Sequence, residues 1–544
     1  MDTQRLILFV VFSFSILMLW DAWQKEHQPA PVAAQTAAVS TSAPSADLAP
    51  GSPLAAPSSA PLQRGDRLRV WTDMVYAEID SIGGDLRRLE LLKHHDTLDR
   101  TKNFVLFTDQ KSSTYVAQTG LIGPGLPNHK ARFVAQPGDY TMAAGAEKLE
   151  IRLSWSDPSG IRLEKIYTFR KNSYLVDVTY EIHNGGATKL EPYSYYQLVR
   201  DSAPPAGDPK FIATYTGAAV YTDKEKFQKV DFDDMTKGKT NYPKQSNDGW
   251  VAMLQHYFVS AWLPKNNSPR EFYTKSLGDN LFAAGVILPL GAIEPGATRS
   301  FTVPLYAGPQ EQENLSKLAP GLELVVDYSW LTVIAAPLFW VLTFINKWVG
   351  NWGVAIILLT VLIKLAFYPL SAKSYRSMAQ MRVIGPKLQR LKEQYGDDRQ
   401  KLHQAMMELY KTEKINPLGG CLPVVVQIPV FIALYWVLLA SVEMRHAPFF
   451  GWIQDLSAAD PYYVLPIIMG VTMIIQTKLN PTPPDPIQAK VMMIMPIAFS
   501  VFFIFFPAGL VLYWVVNNIL SIAQQWQINR AMEQPAAAKG HGGR

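Results

Sequence analysis

The sequence predicts a polytopic α-helical membrane protein, with about six transmembrane helices of which five form a core, carrying a large all-β sandwich domain outside the membrane. Three observations predict this. The chain has 544 residues, 48% of them hydrophobic, and the long apolar runs gather towards its C-terminal end. Its middle third alternates apolar and polar residues with period two, the mark of half-buried strands. Positive charge is concentrated in one stretch between apolar runs, which marks that stretch as cytoplasmic.

In chain order, residues 6–20 form an apolar run behind Arg5 and ahead of Asp21, Lys25 and Glu26. Residues 1–27 therefore read equally as a signal peptide or as an uncleaved anchor, since Pro31-Val32-Ala33-Ala34-Gln35 offers a cleavage site. Either way the following chain is exported. Residues 28–61 are nearly all Ala, Pro, Ser, Thr and Gln, too poor in large apolar groups to offset the entropy of ordering, and form a tether.

Residues 62–320 are expected to form the sandwich. In Val176-Asp177-Val178-Thr179-Tyr180-Glu181-Ile182 the alternation is strict and Asn184-Gly185-Gly186 ends it; Leu149, Ile151, Leu153 and Trp155 repeat the pattern. An antiparallel sandwich follows. His94-His95 has no partner at metal-ligand spacing, and the acidic residues are scattered, so neither a metal site nor a catalytic constellation is expected. The lone Cys421 excludes an internal disulfide framework and reads as a packing residue.

Residues 321–350 are aromatic and apolar but interrupted by Asp327, Pro337, Asn346 and Lys347. With Trp330, Phe339, Trp340, Phe344 and Trp348 they suit a helix lying in the bilayer interface. Residues 351–370 then form a span, since ~20 residues suffice. This span carries one full charge, Lys364, whose burial costs about 2.5–3.5 kcal/mol on insertion scales. Two readings stand: a side chain snorkelling to the interface, or a functional charge. Lys373 and Arg376 already anchor that interface, and Thr360 stands one turn away on the same face.

Residues 371–417 are expected to be a cytoplasmic hairpin. Between 371 and 414, ten basic residues (Lys373, Arg376, Arg382, Lys387, Arg390, Lys392, Arg399, Lys401, Lys411, Lys414) face five acidic ones. Met378, Met381, Leu388 and Leu391 are spaced for one helix, with Pro386 as a kink, and Leu402, Met406 and Leu409 for a second. The surface reads either as a solvated structural hairpin or as a recruitment surface for apolar peptide or a ribosome.

Four further spans are expected within 418–530: 418–440, 461–477, 491–506 and 507–526, the last two an antiparallel pair turning at Pro507-Ala508-Gly509. A cytoplasmic tail, 531–544, follows. Every charge cluster obeys the positive-inside rule except Arg445, which falls outside. No Asp or Glu lies within a predicted span, so Lys364 lacks a carboxylate of its own. Neutral polar residues remain: Thr360, Gln427, Gln476, and Tyr513, Asn517 and Ser521 at steps of four, with Asn518 beside them. They read singly as interhelical glue and together as a wet cavity open to the cytoplasm.

Asn416-Pro417-Leu418-Gly419-Gly420-Cys421-Leu422-Pro423, Gln427-Ile428-Pro429 with Ala433-Leu434-Tyr435, Asp460-Pro461-Tyr462-Tyr463 and Phe506-Pro507-Ala508-Gly509-Leu510-Val511-Leu512-Tyr513 resemble the YidC membrane protein insertases. The resemblance is strong over residues 325–530, and the sandwich is similar to the large periplasmic domain of Gram-negative members. It implies an inner-membrane protein with both termini cytoplasmic and an uncleaved anchor. It also implies a groove built of Lys364, Thr360, Gln427, Tyr513, Asn517, Asn518 and Ser521, where the family usually carries Arg at the position of Lys364. A slide for apolar segments is implied along the third and fifth spans, matching Phe431, Leu434, Tyr435, Phe499, Phe502 and Phe503.

The partners so implied are nascent membrane proteins, membrane lipids, the Sec translocon and the ribosome, the last recruited by Arg376, Arg382, Lys387, Arg390, Lys392, Arg399 and Lys401. No cofactor, metal or chemical step is expected, there is no Gly-Lys-Ser/Thr nucleotide loop, and a net charge of +5 gives no argument for nucleic acid. The alternative is a secondary transporter using Lys364, although neither an internal repeat nor an intramembrane carboxylate supports it. A sugar-binding sandwich on a membrane anchor is a third reading, which leaves the other spans without a purpose.

Overall fold

Alternation in Val176–Ile182 does what period two requires. In strand Leu175–Asn184 the side chains of Val176, Val178, Tyr180 and Ile182 are buried and their neighbours half-buried. The strand pairs antiparallel with Ile161–Arg170 on one side and Thr298–Pro309 on the other. The computed structural model describes residues 62–540 except 111, 208–213, 266, 329–330, 397, 414–421 and 481–485. The expected anchor and tether, Trp330, Cys421 and the Asn416 end of the first motif lie outside the described residues.

The sandwich has a ten-stranded sheet, from edge strand Gln245–Ser246 to edge strand Gly138–Thr141, and an eight-stranded sheet, from Lys226–Val230 to Lys148–Ser156. It departs from the antiparallel expectation once: Arg67–Trp71 runs parallel to Gly138–Thr141. Trp250 and Trp262 are fully buried, and Trp250 stacks on Tyr221 with ring centroids 5.5 Å apart. Helix α1 (Phe232–Lys237) interrupts the strands, and α2 (Gln312–Leu318) follows the last of them.

A lysine is sealed between the sheets. Lys165 is 0% exposed, donates from Nζ to the Gly83 carbonyl at 2.9 Å, and lies 5.5–5.9 Å from the ring centroids of Tyr167, Tyr180 and Phe133. Beside it Arg87 pairs with Asp85 at 3.0 Å, and Gln118 donates to the same carboxylate at 2.8 Å. Burial pushes the Lys165 ammonium down to about 7, with Asp85 opposing and Arg87 reinforcing the shift. Gly83 must be glycine here: its φ is +75°, and a Cβ would meet the His129 carbonyl oxygen at 2.3 Å.

The helical part begins with α3 (Thr332–Val349), which is apolar on two faces. Ala335, Phe339, Leu342 and Ile345 pack inward, while Trp340, Phe344 and Trp348 form an exposed aromatic ladder. Next come α4 (Trp352–Ala366), α5 (Tyr368–Val383), α6 (Gly385–Tyr395), α7 (Arg399–Thr412), α8 (Leu422–Ala440), α9 (Val464–Leu479), α10 (Pro486–Phe502) and α11 (Ala508–Gly540). By length and composition α3 is the described helix apolar enough to cross a membrane unaided, while the others are shorter, interrupted or less uniformly apolar.

Three expectations are corrected. The span expected over 351–370 stops at Ala366, where the chain bends by 67° into α5. Pro369 explains the restart, since a proline is tolerated in the first turn of a helix but not in its interior. Pro386 likewise opens α6 instead of kinking a longer helix, so Met378 and Met381 belong to α5 while Leu388 and Leu391 belong to α6. The hairpin is the α6–α7 pair. Finally, α10 and α11 meet at the expected turn but do not pack together as a pair; each packs on α9, which lies between them.

Candidate functional site

Helix α4 is fixed at its N-terminal end by local chemistry. Asn351 caps it, its side chain accepting from the Val354 N–H at 3.0 Å and donating to the Phe449 carbonyl at 3.0 Å. A Cβ at Gly353 would meet the Phe449 ring at 2.1 Å, so only glycine allows this approach. At the other end stands Lys364, in the last turn of α4. The charge is therefore closer to the helix end than a span running to Leu370 implied, and a cation there complements the carbonyl end of the helix dipole.

Lys364 Nζ donates to Ser521 Oγ at 2.7 Å, and Ser521 in turn donates to the Asn517 carbonyl at 2.7 Å. Gln427 Nε2 on α8 donates to Asn517 Oδ1 at 2.5 Å. Lys364, Ser521, Asn517 and Gln427 are thus linked across α4, α11 and α8, Asn517 by its main-chain carbonyl towards Ser521 and by its side-chain oxygen towards Gln427. Among the described residues no carboxylate approaches Lys364 within ion-pair distance. The structure brings together these four of the seven expected groove residues.

The other three stand differently. Thr360 is 1% exposed and its hydroxyl donates back to the Ile356 carbonyl at 2.7 Å, satisfying itself within α4 and extending no polar stripe to Lys364. Asn518 turns to α9, where its amide donates to Thr472 Oγ1 at 3.2 Å. Tyr513 is buried, its ring stacked 6.1 Å from Phe431, and its hydroxyl faces the Gln427 side chain at the edge of the connection. Sequence reasoning missed Tyr375, which faces the Ser521 hydroxyl from α5, and the buried Ser371 and Ser374 on the same helix. The available signal was Pro369, which places these residues on a helix that folds back under the site.

Of the slide residues, Phe431, Tyr435 and Phe499 are half-buried and Phe502 is 55% exposed. Leu434 and Phe503 are corrections: both are buried in the core. Phe503 faces inward because α10 breaks there into a tighter turn, Phe503–Phe505, which points Phe505 outward instead. Trp514 and Phe506, which were not anticipated, join the two sides. Trp514 lies 4.8 Å from Phe431 and 5.9 Å from Phe503, and Phe506 lies 6.1 Å from Tyr435 and 4.8 Å from Phe502.

On the hairpin, Lys387 pairs with Glu413 at 2.6 Å and Lys401 with Asp398 at 3.1 Å. Asp398 also caps α7, and the Lys401 backbone N–H that it accepts holds its carboxyl below the usual range. Arg376, Arg390 and Lys392 are exposed. The side chains of Arg382 and Arg399 lie outside the described residues.

Two family models match the chain: the YidC periplasmic domain over residues 67–341 and the 60Kd inner membrane protein over residues 344–535. The chain is 62% identical to the membrane protein insertase YidC of Methylobacillus flagellatus, over 99% of both chains. It is 57% identical to that of Nitrosospira multiformis, over 99% of this chain and 98% of the relative. Among solved structures, the active YidC insertase crystal structure with its first transmembrane domain resolved is similar at 18% identity, covering 85% of this chain and 92% of that one, with a TM-score of 0.39.

Proposed function

The chain belongs to the YidC family of membrane protein insertases, and from that premise we propose that the connection Lys364–Ser521–Asn517–Gln427 is where it receives the polar tail of a nascent membrane protein. It is a membrane protein insertase, of a family that is not an enzyme family, with a periplasmic β-sheet domain and a helical part. The observation that carries the site reading is a lysine without a carboxylate partner among the described residues, held by a neutral hydroxyl. Such a cation is poorly compensated and attracts an anionic visitor.

The mechanism follows from desolvation. A hydrophilic tail beside an apolar segment cannot enter hydrocarbon because its polar groups lose water. A polar recess near the cytoplasmic end shortens the dry distance, and the apolar segment meanwhile leaves into lipid along Phe431, Tyr435, Phe499 and Phe502. In this reading the anchor, α4, α8, α9, α10 and α11 make six spans, α3 lies along the interface with its tryptophan ladder towards lipid, and both termini are cytoplasmic. Nascent membrane proteins are the substrates. Contact with the ribosome is assigned to α6 and α7, and contact with the Sec translocon rests on resemblance to the family. The transporter reading has no support, because no internal repeat or intramembrane carboxylate accompanies Lys364.

Reconstitution of the purified chain in liposomes with a short-tailed membrane protein as client tests the proposal. Insertion without flux of small solutes is the expected result, whereas solute flux without insertion would restore the transporter. For the hairpin, deletion of residues 381–411 is expected to reduce insertion of ribosome-bound chains at least tenfold. Protease protection of α8–α11 should stay unchanged. Undiminished insertion would leave the hairpin a solvated structural element.

A further inference from the structure

Arg445 breaks the positive-inside pattern, and the structure shows what it does there. It lies on the connection between α8 and α9 and reaches across to the sandwich. Its Nη2 donates to the His95 carbonyl at 2.6 Å and to Thr97 Oγ1 at 3.0 Å. Its guanidinium carbon is 5.3 and 5.4 Å from the ring centroids of Phe104 and Phe258, which stack at 4.0 Å. Further along the same connection, Asp455 accepts from Arg100 of the sandwich at 2.9 Å. Its other carboxylate oxygen accepts from the backbone N–H groups of His446 and Ser457 and from the Ser457 hydroxyl, at 3.1, 2.9 and 2.6 Å.

The seat then continues into the insertion path. Ala508 and Gly509, the first residues of α11, donate their N–H groups to the carbonyls of Ala458 and Leu456 at 2.7 and 2.9 Å. On the other side, the His256 ring approaches the Leu439 carbonyl at the end of α8 at 3.0 Å. We propose that Arg445 and Asp455 are positioning residues for insertion: they seat the periplasmic domain on the α8–α9 connection and so fix the outer ends of α8 and α11, and protonation of the histidines around them unseats it. This rests on reading α8 to α11 as the insertion path.

The charges around the seat make it acid-labile. From the sandwich, His94, His95, Asp96, Arg100 and Tyr257 face it, with Tyr174 against His94 and His256 stacked on Tyr257. From the membrane side come Arg445, His446 and Asp455. Burial together with the two arginines disfavours an added proton on these histidines, while Asp455, 3.8 Å from the His446 ring, pulls the other way. Burial and then Arg445 hold His94 down to about 4, and the same two causes hold His446 down to about 4. The sign follows: at His94 and His446 the unseated state binds protons first, while Glu443 on the same connection, pushed up to about 7 by burial, binds its proton first in the seated state and offsets one of the two, so seating weakens as pH falls from about 6.5 towards 4.

The test measures hydrogen exchange in the full chain in lipid nanodiscs at pH 7.5 and 4.5, corrected for the intrinsic pH dependence, beside insertion of a short-tailed client. Expected in the unmodified chain is at least tenfold faster exchange of residues 445–460 at pH 4.5, with α4 unchanged. Arg445→Gln and Asp455→Asn should exchange fast at both pH values and insert several-fold more slowly, while Arg445→Lys recovers part of each. Joint His94→Phe and His446→Phe should flatten the pH response. Protection in Arg445→Gln equal to the unmodified chain, or no pH response in that chain, overturns the proposal. Fast exchange with undiminished insertion also overturns the positioning role. If the unmodified chain inserts no client at all, the insertase-site reading fails instead, and the exchange data still decide the seat.

Discussion

Lys364→Glu is expected to depress insertion of clients with acidic tails about thirtyfold, and Lys364→Ala about fivefold, with Lys364→Arg close to unmodified. The effect is Coulombic. At ~8 Å and an effective dielectric of ~40 a unit charge pair is worth about 1 kcal/mol, so removing the attraction costs that much and reversing it about twice as much. Clients with uncharged tails should lose less, because Gln427, Asn517 and Ser521 still offer hydrogen bonds. A lysine that merely anchors the helix predicts the opposite pattern: mild damage, equal for both clients, since Lys373 and Arg376 remain. Insertion of a client pair differing only in tail charge decides between them, and equal damage from Lys364→Ala would remove charge attraction from the mechanism.

The second large effect lies in the sandwich. Lys165 titrates at about 7 when folded, against 10.5 in the ordinary side chain, so the unfolded domain binds the extra proton between those values. Stability therefore rises with pH in that window, at about 1.4 kcal/mol per unit. Unfolding of the sandwich, mapped by protease cleavage within residues 67–309 of the full chain under urea, should show a gain of roughly 2–3 kcal/mol between pH 7 and 9. Above pH 10 the trend should reverse, because burial raises the tyrosine hydroxyls of Tyr167 and Tyr180 well above their ordinary value and unfolding releases their protons. Lys165→Met should flatten the rise between pH 7 and 9. An equal slope in that variant would assign the effect to other groups.

What the residues disclosed in advance depended on how local the cause was. Period two at Val176–Ile182 is enforced by the pleat itself, so it survives into the structure unchanged. Ser521 and Asn517 could be found because steps of four on one helix need only that helix. Asn518 and Thr360 could not be sorted the same way: which neutral group meets Lys364 depends on how α9 and α11 are rotated against α4, and apolar runs carry no mark of rotation. Leu434 and Phe503 failed for a related reason, since a uniformly apolar helix hides which face meets protein and which meets lipid. The bend after Ala366 was legible in Pro369, whereas Arg445 could be flagged only as an exception, its partners lying some 350 residues away in sequence.

On the proposed reading of α4, which carries Lys364, and of α9 as spans, their shortness has a consequence for the lipid. α4 has 15 residues and α9 has 16, which gives lengths of about 22–24 Å against a hydrocarbon layer of about 30 Å. Hydrophobic mismatch of this size costs fractions of a kcal/mol for each ångström and is relieved when neighbouring acyl chains compress. The annulus beside α4 should then be thinner than the surrounding leaflets, and a hydrophilic tail leaving there has less hydrocarbon to cross. Part of the barrier is thereby lowered in the solvent, before any side chain has touched the passenger.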